Sequence, residues 1–113
     1  MKKIEAVIRP EALEAVKQGL LEAGHTGLHA ENVVGHGHQG GVVRSGRGGQ
    51  FYVVDMIPKV KLVVVVTDDK LEGAIEAIVE CARTPQTGDG KLFISEVHDA
   101  VRVRTGERGP EVL

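Results

Sequence analysis

Residues 35–50 read GHGHQGGVVRSGRGGQ, and the meaning given to this stretch decides the fold. Gly35-x-Gly37-x-x-Gly40 spells the glycine turn of dinucleotide-binding domains, which would make the chain a doubly wound α/β protein. That turn works because a helix N-terminus follows the glycines and receives a pyrophosphate. Here glycine fills seven of sixteen positions, no apolar period runs through them, and no helix can begin before residue 58. The context fails, so residues 35–50 are read as a long loop holding neither helix nor strand.

On the N-terminal side, KKIEAVIR (2–9) alternates Ile4, Ala6 and Ile8 against Lys3, Glu5, Val7 and Arg9, the period of a half-buried strand. Pro10 suits a first helical turn; Leu13, Val16, Leu20 and Leu21 then recur at helical spacing until Gly24. TGLHAENVV (26–34) reads as a second strand. On the C-terminal side, VKLVVVV (60–66) is a β-branched run of the kind buried on both faces at the centre of a sheet. Thr67, Asp68 and Asp69 offer capping side chains to a second helix carrying Leu71, Ile75, Ile78, Val79 and Ala82. KLFISEV (91–97) and a short AVRVR (100–104) complete the strands.

The order β-α-β, long loop, β-α-β predicts an α+β, ferredoxin-like single domain over 1–113, with both helices on one face of an antiparallel sheet. The other face is left uncovered. With two Phe, one Tyr and no Trp, the core is built from aliphatic side chains alone. Both features point to an oligomer, since a small aliphatic core is only modestly stable by itself.

Composition narrows the function. With 42% hydrophobic and 27% charged residues the chain is of globular type, and a net charge of -2 supplies no general basic footprint for nucleic acid or anionic membrane. Cys81 is the single cysteine, so no internal disulfide forms. There is no apolar run of membrane-spanning length and no secretory h-region after MKKIEAVIRP, which makes the cytoplasm the expected compartment and excludes direct membrane insertion.

His36 and His38, with His29 or His25, offer a metal site, although no Cys-x-x-Cys, His-x-x-x-His or neighbouring carboxylate supports it. Arg44 and Arg47 stand in an Arg-Gly-Gly setting without aromatic stacking partners. TPQTGDGK (84–91) is more specific. Gly88 and Gly90 let backbone N–H groups approach an anion and Lys91 adds a point charge. Arg102 and Arg104 alternate onto one face of the last strand, where two guanidiniums can grip phosphates bidentately. No Walker A sequence, general base or nucleophile accompanies them, so the residues favour polyphosphate binding over catalysis.

Through MKKIEAVIRP, GHGHQGG, VDMIPKVKL and CARTPQTGDGKLFISEVHDAVRVRTGERG, the chain resembles the nitrogen-regulatory PII signalling family over nearly its whole length. The resemblance implies a non-enzymatic homotrimer holding ATP or ADP in clefts between subunits, with 2-oxoglutarate joining Mg-ATP. Carried onto this chain, the phosphate grip is Gly37, His38, Gly88, Asp89, Gly90, Lys91, Arg102 and Arg104, with His29 and Val65 near the adenosine. Gln39 ligates Mg²⁺ beside 2-oxoglutarate, and Lys59 pairs with a 2-oxoglutarate carboxylate. Residues 36–56 become the T-loop that touches a target protein, a transporter or metabolic enzyme; 84–91 become the phosphate-binding loop and 105–113 a C-terminal tail. Tyr52 holds the place of the tyrosine that enteric-type members uridylylate, but the loop is one residue longer and lacks the usual YRGAEY. His38 stands where Arg or Lys is usual, and His29 where a small hydroxyl residue is common. The alternatives are a divergent PII-like protein sensing a metal or another small ligand through His36 and His38, and a small ferredoxin-like enzyme.

Overall fold

The computed structural model describes residues 1–36 and 56–113 throughout, except that the stretches 42–45 and 51–54 between them are described by backbone alone. Strand β1 is Lys2–Ile8, helix α1 Leu13–Glu22, β2 Leu28–Gly35, β3 Val42–Ser45, β4 Phe51–Val54, β5 Ile57–Val66, helix α2 Leu71–Ala82 and β6 Gly90–Glu96. The four long strands form one sheet in the order β2-β5-β1-β6, antiparallel throughout. This is the ferredoxin-like arrangement expected from the element order.

Alternation along the strands builds the core. Ile4, Ala6 and Ile8 of β1, with Val60, Leu62, Val64 and Val66 of β5, are all buried against Val16 and Leu20 of α1 and Ala74, Ile78 and Ala82 of α2. Gly19 of α1 lets α2 come close: a methyl group there would sit 2.8 Å from Cys81 Sγ. Leu21, expected on the buried helical face, is 39% exposed because its position has rotated past the apolar stripe. On the opposite sheet face stand Lys3, Glu5 and Val7, Lys59, Lys61, Val63 and Val65, His29 and Glu31, and Lys91 and Phe93. Cross-strand ion pairing there includes Lys61 to Glu31 at 3.0 Å. Neither helix covers this face, which mixes charged side chains with Val7, Val63, Val65 and Phe93.

Three local expectations are corrected. Within the glycine-rich stretch, Val42–Ser45 pairs with Phe51–Val54 as a separate two-stranded sheet; the β-branched and aromatic pairs Val42-Val43, Phe51-Tyr52 and Val53-Val54 outweigh the surrounding glycines. Thr67 adopts the extended conformation of a helix N-cap but makes no side-chain capping bond, and the entry to α2 is a 3-10 turn over Asp68–Lys70. Residues 100–104 are not a strand. A lone bridge joins Val101 to Arg108, and between them the chain turns, with the Arg102 N–H donating to Glu107 O at 2.8 Å and the Gly106 N–H to Arg102 O at 2.7 Å. Two apolar residues in alternation are too few to specify pairing when the next residues, Thr105-Gly106, favour a turn and Gly106 adopts a φ of +76°.

Candidate functional site

The antiparallel register brings the start of β6 beside the end of β1 and the first residues of β5. Gly90 lies opposite Ile8, and Lys91 opposite Val7. Gly90 has a φ of +123°, and a Cβ on it would fall 1.9 Å from the Val7 carbonyl oxygen. Only glycine fits, so the loop and the strand meet backbone to backbone. Gly88, at φ +96°, makes the second left-handed bend. A cavity of about 370 Å³ opens here on the uncovered face, lined by His36, Lys59, Gly88, Gly90, Lys91 and Phe93 among others.

Lys59 is the buried cation of the site, 8% exposed, and its Nζ donates to the Gly88 carbonyl at 2.8 Å. Burial pulls its pKa below the ordinary lysine value, and the neighbouring Arg9 lowers it further. A lysine held this way gains an opposite charge readily, because a bound carboxylate or phosphate offsets its desolvation. Asp89 also lines the cavity, but its carboxylate is engaged within the loop. Its carboxylate accepts from the Thr84 N–H at 2.6 Å, the Thr84 hydroxyl at 2.5 Å and Arg9 Nε at 3.4 Å. Those bonds, Thr84's first and then Arg9's, hold the carboxyl below its usual range. Of the proposed phosphate grip, Asp89 therefore has its backbone N–H to offer and not its side chain.

The remaining site residues are distributed along the sheet. Lys91, Gly88 and Gly90 gather with Lys59 at one end. His29 sits opposite Val63 on the uncovered face, and Val65 lies six residues along β5 from Lys59, about 20 Å at ~3.3 Å per residue. Val65 lines a second cavity of about 390 Å³ with His25, Gly27, Thr67 and Lys70. Arg102 and Arg104 follow the far end of β6, where Glu96 pairs with Lys2. Arg102 is engaged by Glu107 at 3.1 Å. Within one chain the glycine loop and the arginine pair stand at opposite ends of β6. Gly37, His38 and Gln39 lie outside the described residues, as does the side chain of Tyr52. Among the described residues no group of three or more His, Cys, Asp or Glu could hold a metal ion.

The model of the family described as "Nitrogen regulatory protein P-II" matches residues 1–107. The chain belongs to the P-II family. Curated relatives under that same description cover all of this chain and all of their own length: one from Cereibacter sphaeroides is 51% identical, one from Mesorhizobium japonicum 50% and one from Azospirillum brasilense 47%. The sheet and helices described above are the ferredoxin-like P-II fold, and the family carries a nitrogen-regulatory signalling role. No helix among the described residues is long and apolar enough to cross a membrane.

Sequence reasoning missed three contributors. Arg9 and Thr84 shape the loop, and His36, which the sequence offers as a metal ligand or a hydrogen-bonding ligand contact but not as part of the phosphate grip, lines the cavity. Alternation makes Arg9 only the outward residue ending a strand, and Thr84 enters only as the first residue of the 84–91 loop, with no role of its own. The signal was slight: each stands directly before a proline that fixes its backbone.

Proposed function

We propose that this P-II protein is a non-enzymatic sensor that binds ATP or ADP between subunits of a homotrimer and signals to a target protein through residues 36–56. One observation carries the reading: Gly88 to Lys91 gather with Lys59 at the start of β6, whereas Arg102 and Arg104 follow its far end, beyond Glu96. A head-to-tail ring brings the loop end of one copy to the far end of the next, because heterologous contacts join different surfaces of identical subunits. The uncovered sheet face and the exposed Phe93, Val101 and Val103 supply apolar surface for such contacts. The nucleotide phosphates then meet backbone N–H groups and Lys91 from one subunit and the two guanidiniums from its neighbour, with His29 and Val65 of the latter toward the adenosine.

Lys59 supports a second ligand. A nearly buried ammonium in a cavity beside the phosphate loop suits a dicarboxylate, and 2-oxoglutarate with Mg-ATP is the ligand the family suggests, Gln39 supplying the Mg²⁺ ligand. The Mg-bound nucleotide would complete the cavity, so 2-oxoglutarate and ATP should tighten each other by the same factor, about 1–3 kcal/mol.

Subunit mixing tests the shared site. Lys91→Ala and the double variant Arg102→Ala/Arg104→Ala should each fail to bind ATP alone. Unfolded and refolded together in equal amounts, they should recover roughly one quarter of the sites, those pairing an intact loop with an intact arginine pair. No recovery in mixed trimers would overturn the intersubunit reading.

A further inference from the structure

The loop 84–91 is held from behind by contacts that involve no ligand. The Asp89 carboxylate closes residues 84–89 into a ring through the Thr84 N–H and hydroxyl, and the Gln86 N–H donates in turn to Thr84 Oγ1 at 3.1 Å. Arg9, at the end of β1, spans the ring with two donors of one guanidinium, Nε to Asp89 Oδ1 and Nη2 to the Thr87 carbonyl. Lys59 takes the next carbonyl, that of Gly88.

In a trans peptide the C=O and the following N–H point in opposite directions. Holding the carbonyls of Thr87 and Gly88 thus sets where the N–H groups of Gly88 and Asp89 point. We propose that Arg9 and Thr84 are positioning residues of the anion-binding loop, acting through Asp89 and the Thr87 carbonyl to aim its backbone donors. The fork geometry makes the arginine specific: a lysine ammonium is a single point on a flexible stem and does not reach a carboxylate and a carbonyl in one fixed plane. The threonine is needed for its hydroxyl, which accepts from Gln86 while donating to Asp89, and not for its methyl group.

The inference rests on the nucleotide reading only for its affinity arm, so two measurements are made on the full chain. Hydrogen exchange of the amides of residues 86–90 is followed without ligand, and ADP binding by calorimetry. Thr84→Val and Arg9→Lys should speed exchange in this segment alone and weaken ADP about tenfold, the loss of one charge-assisted hydrogen bond. Thr84→Ser should restore both. Unchanged exchange in Thr84→Val overturns the clamp, as does faster exchange with ADP affinity within about twofold of wild type. If the wild-type protein binds neither ADP nor ATP, the nucleotide reading falls, and the exchange data alone decide whether Arg9 and Thr84 position the loop.

Discussion

Replacing Gly90 with alanine places a methyl group where the backbone of β1 already stands. The added Cβ would lie 1.9 Å from Val7 O, 2.9 Å from Val7 C and 3.0 Å from Ile8 Cα, and none of these is the movable end of a side chain. Relief requires β6 to move off β1 at the register pair Ile8 and Gly90, or the residue to leave its φ of +123°. A non-glycine residue at such a φ costs about 1–3 kcal/mol, and forcing an extra carbon into packed structure costs about 1–3 kcal/mol more. The expected loss is about 4 kcal/mol, a large share of the stability of a chain this size. Urea unfolding at fixed protein concentration, followed by circular dichroism, reads it directly. An unfolding free energy within about 1 kcal/mol of wild type would refute the backbone contact as the reason for glycine here. Gly73→Ala is the control, since its Cβ meets nothing within 4 Å inside α2.

That control should itself gain about 0.5–1 kcal/mol in the same unfolding assay, because alanine restricts the unfolded chain and suits a helix interior. Acid should weaken the fold through Asp68, Asp89 and Asp99. The N-terminal ammonium with Lys2, Thr84 with Arg9, and Arg108 respectively hold their carboxyls below the usual carboxylate range. Depressed carboxyls contribute stability in full above the unfolded pKa and lose it as pH falls through the folded one, so urea midpoints should be level near pH 6 and drop below about pH 4. Lys59 has the opposite base-side signature. Its folded pKa is below 10.5, so 2-oxoglutarate affinity measured by calorimetry should fall as alkali reaches that lowered value, before an ordinary lysine would titrate. Lys59→Met should remove this dependence along with the 2-oxoglutarate response.

What was legible in the sequence was what repeats locally. Ile4, Ala6 and Ile8 declare a strand by alternation, Val16 and Leu20 one helix and Ile78 and Ala82 another by their spacing, and Val60 to Val66 a central strand by its β-branched run. Those periods are imposed by backbone geometry, so the ferredoxin-like order and the core followed from them. The glycines of the 84–91 loop were legible too, because a bend at positive φ leaves few other residues possible. Tertiary structure alone decided the rest. Arg9 and Asp89 meet across 80 positions, and Lys59 and Gly88 across 29, through strand register that no local pattern encodes. The same register set the glycine loop and the arginine pair, only a dozen residues apart in sequence, at opposite ends of β6, because a strand carries the chain about 3.3 Å per residue in one direction. Residues 100–104 and the hairpin Val42–Ser45 with Phe51–Val54 went the other way from expectation for a related reason: over four or five residues propensity is weak, and the partner available across the turn decides.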